Sequence, residues 1–433
     1  VRYDQADPSA LSVLGKKKVT HPDLPPHEAR PCSPPVKARR QLGLILGGAS
    51  AGLVVAVAIA GWFIWPLYAV SSASAAYEAA AQAKDWTAAL AAAERWVSLR
   101  PDSPDAWLNV AEASRQLGRF SLTAEALGRL PDSDPRALTS LALRGDLLLS
   151  ELRQPSAAIE TWQRMLRTAP AADLPHKRLI YVYAMTLQRT KLRDQIRLAI
   201  ELECDHPEMY VYLMLLPSLQ FSDGLIKCAD WLQGEPENRE LRVAVAVHAA
   251  RTAPTATQTL FETRTVMPGD RSLIRQCRDD YPGHPEVLAV FIDQALYEGD
   301  VSAVESMLGQ VEPSADEDSR FWRYRGWAAL MRRRTEEAAE LCRQALERHP
   351  LDWRARHLLA DAERLLGQGE AAQRNSEVAA RGKALERELL EMPATDAVDA
   401  ARLREIGRLA RDCGDELVAE GLTRRLGRLE GND

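Results

Sequence analysis

The sequence predicts an all-α chain: a single membrane-spanning helix followed by a long array of helical hairpins. Two observations carry that prediction. Residues Leu42 to Trp65 form an uninterrupted run without a charged side chain, and about 20 such residues span a bilayer as a helix. Beyond Ser71, apolar residues recur at helical spacing in segments of about 12–15 residues, separated by turns rich in Pro, Asp and Gly.

Residues 1–41 contain seven prolines and carry eight Lys/Arg against four Asp/Glu, a net +4 without hydrophobic periodicity. Such a composition buries too little apolar surface to order itself, so a disordered basic tail is expected. The predicted membrane helix, residues 42–68, follows. Arg30, Lys37, Arg39 and Arg40 precede it, and no Lys or Arg follows until Lys84. That asymmetry places the N-terminus in the cytoplasm and the remainder outside it. Trp62, Trp65 and Tyr68 suit the far interface, and Pro66 breaks the helix. The excess of Arg over Lys suggests a bacterial source, hence an inner-membrane anchor with a periplasmic domain. Ala73-Ser74-Ala75 resembles a signal-peptidase site, but the apolar run exceeds the about 7–15 residues of a signal h-region, so an uncleaved anchor is expected.

Within the span, Gly43 and Gly47 with Ala51, and Gly48 and Gly52 with Ala56, recur every four residues. Each ladder lies on one helix face and allows close approach of a second helix. A homodimer through Gly43, Gly47, Gly48 and Gly52 is the corresponding expectation. Gly48-Ala49-Ser50-Ala51-Gly52 has the form of a nucleophile elbow, but a serine inside lipid lacks the strand-turn-helix setting.

The whole chain carries a formal −6. Subtracting the +4 tail leaves −10 for residues 42–433, which argues against nucleic acid as a partner. Cys204, Cys228, Cys277, Cys342 and Cys413 lie beyond the span, with no C-x-x-C. Cys228 and Cys342 fall at core positions of their helices, so buried thiols are expected rather than a disulfide framework. His206-Pro207, His284-Pro285 and His349-Pro350 read as inter-helix turns. Cys204-Asp205-His206 lacks a second ligand pair for a metal. No motif proposes a cofactor, a metal or an enzyme.

The clearest repeat runs from Phe321 to Pro350, with Trp322, Gly326, Ala329, Ala338, Cys342 and Ala345. This resembles the tetratricopeptide repeat, a 34-residue helical hairpin. Asp85-Trp86, Ala89, Trp96 and Pro101 fit one further unit, and Trp107, Ala111, Gly118 and Phe120 another. Ala158, Trp162 and Pro170 fit a third after a one-residue shift near Gly145. Further matches are Tyr183, Leu192 and Ala199; Ala295, Gly299 and Leu308; Ala360, Gly367 and Ala372; and Gly407, Ala410, Gly414 and Ala419. Residues 71–207 and 285–433 thus read as repeat blocks. Residues 208–284 read as degenerate hairpins: a shortened one interrupted by Pro217, then one good helix at Arg239–Arg251 and lost register near Pro254 and Pro268.

The resemblance implies a right-handed superhelical solenoid with a concave face lined by the first helix of each hairpin. Projected onto this sequence, that face carries Asp105 and Glu112, then Glu286 and Asp293. Toward the C-terminus it carries Arg320, Arg323, Arg354, His357 and Arg364 with Asp361, and finally Arg404, Arg408 and Arg411. An acidic peptide or chain-terminal carboxylate is the expected ligand, since guanidinium forks suit bidentate contact. Trp327 stands where the carboxylate clamp of chaperone adaptors uses Asn, so that specific function does not carry over. A membrane-anchored scaffold for assembly or maturation of an envelope complex is therefore expected. The alternative is a subunit of a membrane enzyme with a site in 208–284.

Overall fold

The computed structural model describes residues 65, 67–221, 223–251, 271–392 and 394–430. The basic tail, nearly all of the predicted membrane helix with Gly43, Gly47, Gly48 and Gly52, and the turns at Pro254 and Pro268 lie outside them. Among the described residues, no helix is long and apolar enough to cross a membrane. The chain divides into two compact units after Ala75; in the first, residues 67–75 are helical. The remainder concerns the second unit.

Every regular element among the described residues is helical. Residues 76–82 belong to α1. Next come α2 (Trp86–Leu99), α3 (Pro104–Gln116), α4 (Phe120–Gly128), α5 (Ala137–Ser150), α6 (Pro155–Thr168), α7 (Asp173–Met185) and α8 (Arg189–Glu201). The middle holds α9 (Pro207–Leu215), α10 (Gly224–Gly234), α11 (Arg239–Arg251) and α12 (Ser272–Asp280). The last block is α13 (Pro285–Glu298), α14 (Val301–Leu308), α15 (Ser319–Met331), α16 (Thr335–Arg348), α17 (Trp353–Leu365), α18 (Gly369–Leu390), α19 (Ala400–Asp412) and α20 (Glu416–Glu430).

The repeat register is written in the backbone. The turn between the two helices of a hairpin holds one residue in the left-handed region, at Lys84, Gly118, Arg153 and Leu187, then at Gly299, Arg333 and Gly367. These lie 34, 35 and 34 residues apart in the first block and 34 and 34 in the second. The 35-residue step locates the inserted residue expected near Gly145. Gly414 takes the same place in the last hairpin, delayed because α18 runs for 22 residues.

A second recurring device ties five of the first helices to the turn before them. The fourth residue of the first helix reaches back six positions to a carbonyl at the preceding turn. Trp107 Nε1 lies 2.7 Å from Pro101 O, His176 Nε2 2.8 Å from Pro170 O, and Arg242 Nε 2.7 Å from Pro236 O. Trp322 Nε1 and Arg356 Nη2 repeat it on Asp316 O at 2.8 Å and Pro350 O at 3.2 Å. Proline ends the second helix because it cannot continue the ladder, and in four of these five links the proline's own carbonyl receives the donor, the fifth acceptor being Asp316. Small residues allow the two helices of a hairpin to approach: a Cβ on Gly326 would lie 2.8 Å from Cys342 Sγ.

The middle departs from the array in a specific way. Residues Met209 to Leu215 of α9 are all buried; a helix apolar on every side belongs in a core. Rather than forming a hairpin with α10, α9 packs chiefly against α8, α18, α19 and the short turn Thr395–Ala397, while α10 pairs with α11 and α7. Helix α20 in turn packs on α8. Leu385, Leu389, Leu403, Ile406, Leu409, Val418 and Leu422 therefore share one apolar core with α6–α11. The later hairpins return to the middle of the chain and close around α9. The concave face expected to be open is partly filled by the chain itself.

Ionic links run across this closure. Arg189 is 4% exposed, and its Nε lies 3.0 Å from Glu286 Oε1. The same guanidinium donates to Leu216 O and, at 3.2 Å, to Leu219 O, capping the end of α9. Arg193 donates at 2.7 Å to Glu317 O and at 3.3 Å to Arg348 O. Arg197 holds Asp415, and Arg428 Nη2 lies 3.2 Å from Asp205 Oδ1.

Candidate functional site

The arginines projected onto the concave face have three different fates. Arg320 is 1% exposed and donates to Glu286 and Asp318, with Nε 3.0 Å from Asp318 Oδ2. Arg323 is also buried, with Nη1 3.1 and 2.9 Å from the two oxygens of Asp352. Burial pushes the Glu286 carboxyl up, but Arg189 and Arg320 outweigh it and hold that group well below the usual carboxylate range. The same contest holds Asp352 low, mainly through Arg323. The basic gradient is thus neutralised internally at Arg320 and Arg323 by acids that the projection also found or passed over. Neither guanidinium is presented to solvent.

Arg404, Arg408 and Arg411 have the opposite fate. They lie exposed on α19, whose other face buries Leu403, Ile406 and Leu409. Arg408 pairs with Glu405 at 2.9 Å along the same helix. Arg364 is exposed and sits 2.7 Å from Asp361.

The structure does bring Arg323, Arg354 and His357 to one place. With Leu296, Tyr324, Trp327, Trp353 and Leu358 they line a cleft of about 260 Å³ across α13, α15 and α17. Among the described residues, no carboxylate lines it. Arg354 stacks on Trp353, 4.4 Å from the ring centroid, and pairs with Glu386 at 2.9 Å. Trp353 Nε1 also donates to Glu386, a buried carboxylate that accepts Ser218 Oγ as well. One acid of α18 thereby positions the aromatic wall and ties it to the segment after α9. His357 is exposed, with Nε2 3.8 Å from Asp361 Oδ2. On the floor, burial and the Asp293 charge push the Tyr324 phenol up, so it stays a donor, 2.7 Å from Asp293 Oδ1. The cleft can seat an apolar side chain while offering cations to an attached acid. Sequence projection missed Leu296, Trp353 and Leu358. The signal was present: Trp353 directly precedes the projected Arg354, and Trp327 stands at a groove position of the first helix before it.

A second cleft, of about 180 Å³, lies where the first turns of α8, α11 and α13 meet and is lined by Lys191, Glu240, His284, Glu286, Glu312 and Asp318. It touches the edge of the irregular region in which a catalytic site was the alternative expectation. Its ionisable groups pair with one another or with near neighbours. The Glu286 amide donates to His284 Nδ1 at 3.2 Å, and His284 Nε2 faces Glu240 at 3.4 Å. That bond holds Glu240 below its ordinary range. Glu312 pairs with Arg239. Among the described residues no cluster of His, Cys, Asp or Glu suits a metal ion. Cys228, Cys277 and Cys342 are buried free thiols, pushed above their usual range by burial.

Fold and site together define the class: an all-α hairpin solenoid with a 34-residue register, closed in part upon its own central helix. No family model matches the chain, and no curated protein does. Solved structures similar to it include the complex of the yeast Sti1 TPR2AB domain with pHSP90, at 15% identity over 80% of this chain and 98% of that one, TM-score 0.26. The Cut9–Hcn1 hetero-tetramer of the APC/C is 15% identical over 84% and 79%, TM-score 0.30. Yeast Tom70 is 13% identical over 84% and 81%, TM-score 0.25. Likeness of this degree transfers no partner or activity to this chain.

Proposed function

We propose that this protein is a membrane-tethered scaffold that binds partner proteins through the aromatic cleft of α13, α15 and α17. It is a binding module rather than an enzyme. The observation that carries the reading is the composition of that cleft: Trp327 and Trp353 form apolar walls, Arg354 and His357 stand at the mouth, and the described residues that line it include no carboxylate, although Glu386 and Asp361 lie behind the two cations. A partner segment joining an apolar side chain to a carboxylate fits both features. The uncharged run Leu42–Trp65 behind Arg39 and Arg40 supports a tether with the solenoid on the extracytoplasmic side of a bacterial inner membrane. Assembly or maturation of an envelope complex is the role such a tether serves, by raising local concentration at the bilayer.

The test uses the full chain in neutral-lipid nanodiscs and a fluorescent extended peptide alternating Glu and Leu, interrupted by proline. Trp327→Ala and the double change Arg354→Ala with His357→Ala are each expected to weaken binding at least ten-fold. Arg408→Ala with Arg411→Ala on α19 is expected to leave affinity unchanged. Equal affinity in the cleft variants and the parent would overturn the reading. Arg323 is unsuitable for this purpose, because its removal leaves Asp352 buried without a cation. A reporter fused after Asp433 that is active only in the cytoplasm would sink the topology.

A further inference from the structure

Resting on that reading, we infer that Glu386 sets the selectivity of the cleft: it anchors the Trp353 wall and competes with a partner's carboxylate for Arg354. Its position follows from the irregular length of α18. Helix α16 spans 14 residues, Thr335–Arg348, and α18 begins at Gly369, 34 residues after Thr335. A second helix of the same length would end at Gly382, yet α18 continues to Leu390. Glu386 lies in this continuation between Leu385 and Leu389, which belong to the core shared with α9. The added turns thus dock on the middle of the chain and deliver one acid to the back of the cleft.

Gly382 opens the way for that acid. A Cβ there would lie 2.7 Å from Trp353 Cβ, so α17 and α18 approach closely where the indole sits. One turn further on, Glu386 is 3% exposed. A carboxylate so buried needs donors in place of water, and three converge on it. Trp353 Nε1 lies at 2.5 Å, Arg354 Nη1 at 3.0 and 2.9 Å from the two oxygens, and Ser218 Oγ also donates. Trp353 and Ser218 are neutral, so Arg354 supplies the opposing charge. The Arg354 side chain is nevertheless 34% exposed and lines the cleft. A guanidinium offers further N–H donors beyond Nη1, and these can serve a second carboxylate. An acid bound there meets the Glu386 charge across one guanidinium, and like charges at that range repel. Glu386 therefore weakens the acidic part of recognition and supports the apolar part.

The test compares two probes by fluorescence anisotropy against the full chain in neutral nanodiscs. One is the proline-interrupted peptide alternating Glu and Leu; the other carries Gln in place of Glu. In Glu386→Gln an amide oxygen still accepts from Trp353 while the charge is gone. The acidic probe is expected to bind about five-fold tighter than to the parent, and the Gln probe about as before. Glu386→Ala removes the anchor and should weaken the Gln probe about ten-fold. Trp353→Phe keeps an aromatic wall but withdraws one donor from Glu386, which gives Arg354 a larger share of that carboxylate. The ratio of acidic to Gln-probe affinity should then fall about two-fold, and this variant decides should Glu386→Gln lose its circular dichroism spectrum. An unmoved ratio, or a Gln probe bound alike by Glu386→Ala and the parent, overturns the inference and leaves the scaffold reading standing. A parent that binds neither probe sinks that reading, and this inference with it.

Discussion

Arg197 on α8 grips Asp415 at the start of α20 through two hydrogen bonds, at 2.8 and 3.1 Å, across 218 residues of chain. The Asp415 side chain is 1% exposed and also accepts from Val418 N at 3.4 Å. One carboxylate therefore caps a helix and docks it. Arg197→Ala is expected to cost about 3–5 kcal/mol, since it strands a buried charge. Urea unfolding measures the loss, and a change below about 1 kcal/mol contradicts the role given to this pair.

Close approach reinforces that clamp. A Cβ on Gly421 of α20 would lie 2.5 Å from Ile200 Cγ2 and 2.7 Å from the Tyr210 hydroxyl. Gly421→Leu should push α20 off α8 and α9. Hydrogen exchange in α9 and α20 is expected to rise together, while α2–α5 keep their protection. Faster exchange confined to α20 would show that α9 is held without it.

The triad Arg189–Glu286–Arg320 makes a similar demand inside the ring. Replacing Glu286 by Gln leaves two buried guanidiniums with Asp318 as the nearest remaining acid, and Arg189 without its carboxylate. A destabilisation of about 3–5 kcal/mol is expected. The calorimetric midpoint reports it, and an unchanged midpoint would show that backbone carbonyls alone satisfy Arg189.

His349 gives the closure a pH dependence. It is buried near Asp352, Asp415, Arg193 and Arg197, and burial pushes its imidazole down to about 4. The unfolded chain takes up that proton near 6.5. The ring's neutrality is therefore harmless above pH 6.5, and stability falls as pH drops from 6.5 through 4. The full loss is about 3 kcal/mol. His349→Leu should flatten that part of the stability profile; an identical slope in both proteins would remove His349 as its source.

The hairpins were legible in the sequence because their determinants are local. Gly326 meets Cys342 sixteen residues on, Trp107 reaches a carbonyl six residues back, and the left-handed turn residue recurs every 34 or 35 positions from Lys84 to Leu187 and again from Gly299 to Gly367. The bounds Arg239–Arg251 followed from periodicity alone. Arg354 and His357 came from the inner-face positions that the repeat resemblance implies, and the structure puts both on the lining of one cleft. Helix α9 carried a signal too, an apolar run from Met209 to Leu216 with no polar face to turn outward.

What the sequence alone determined was the repeating unit, its helical faces and its turns, because neighbours within about 34 residues decide them. Only the tertiary structure decided that the array closes on α9, that Arg320 and Arg323 spend their charge on Glu286, Asp318 and Asp352, and that Trp327 and Trp353 share a cleft. Those outcomes depend on small rotations accumulated over successive hairpins. They bring together residues as distant as Arg197 and Asp415, and no local pattern encodes that sum.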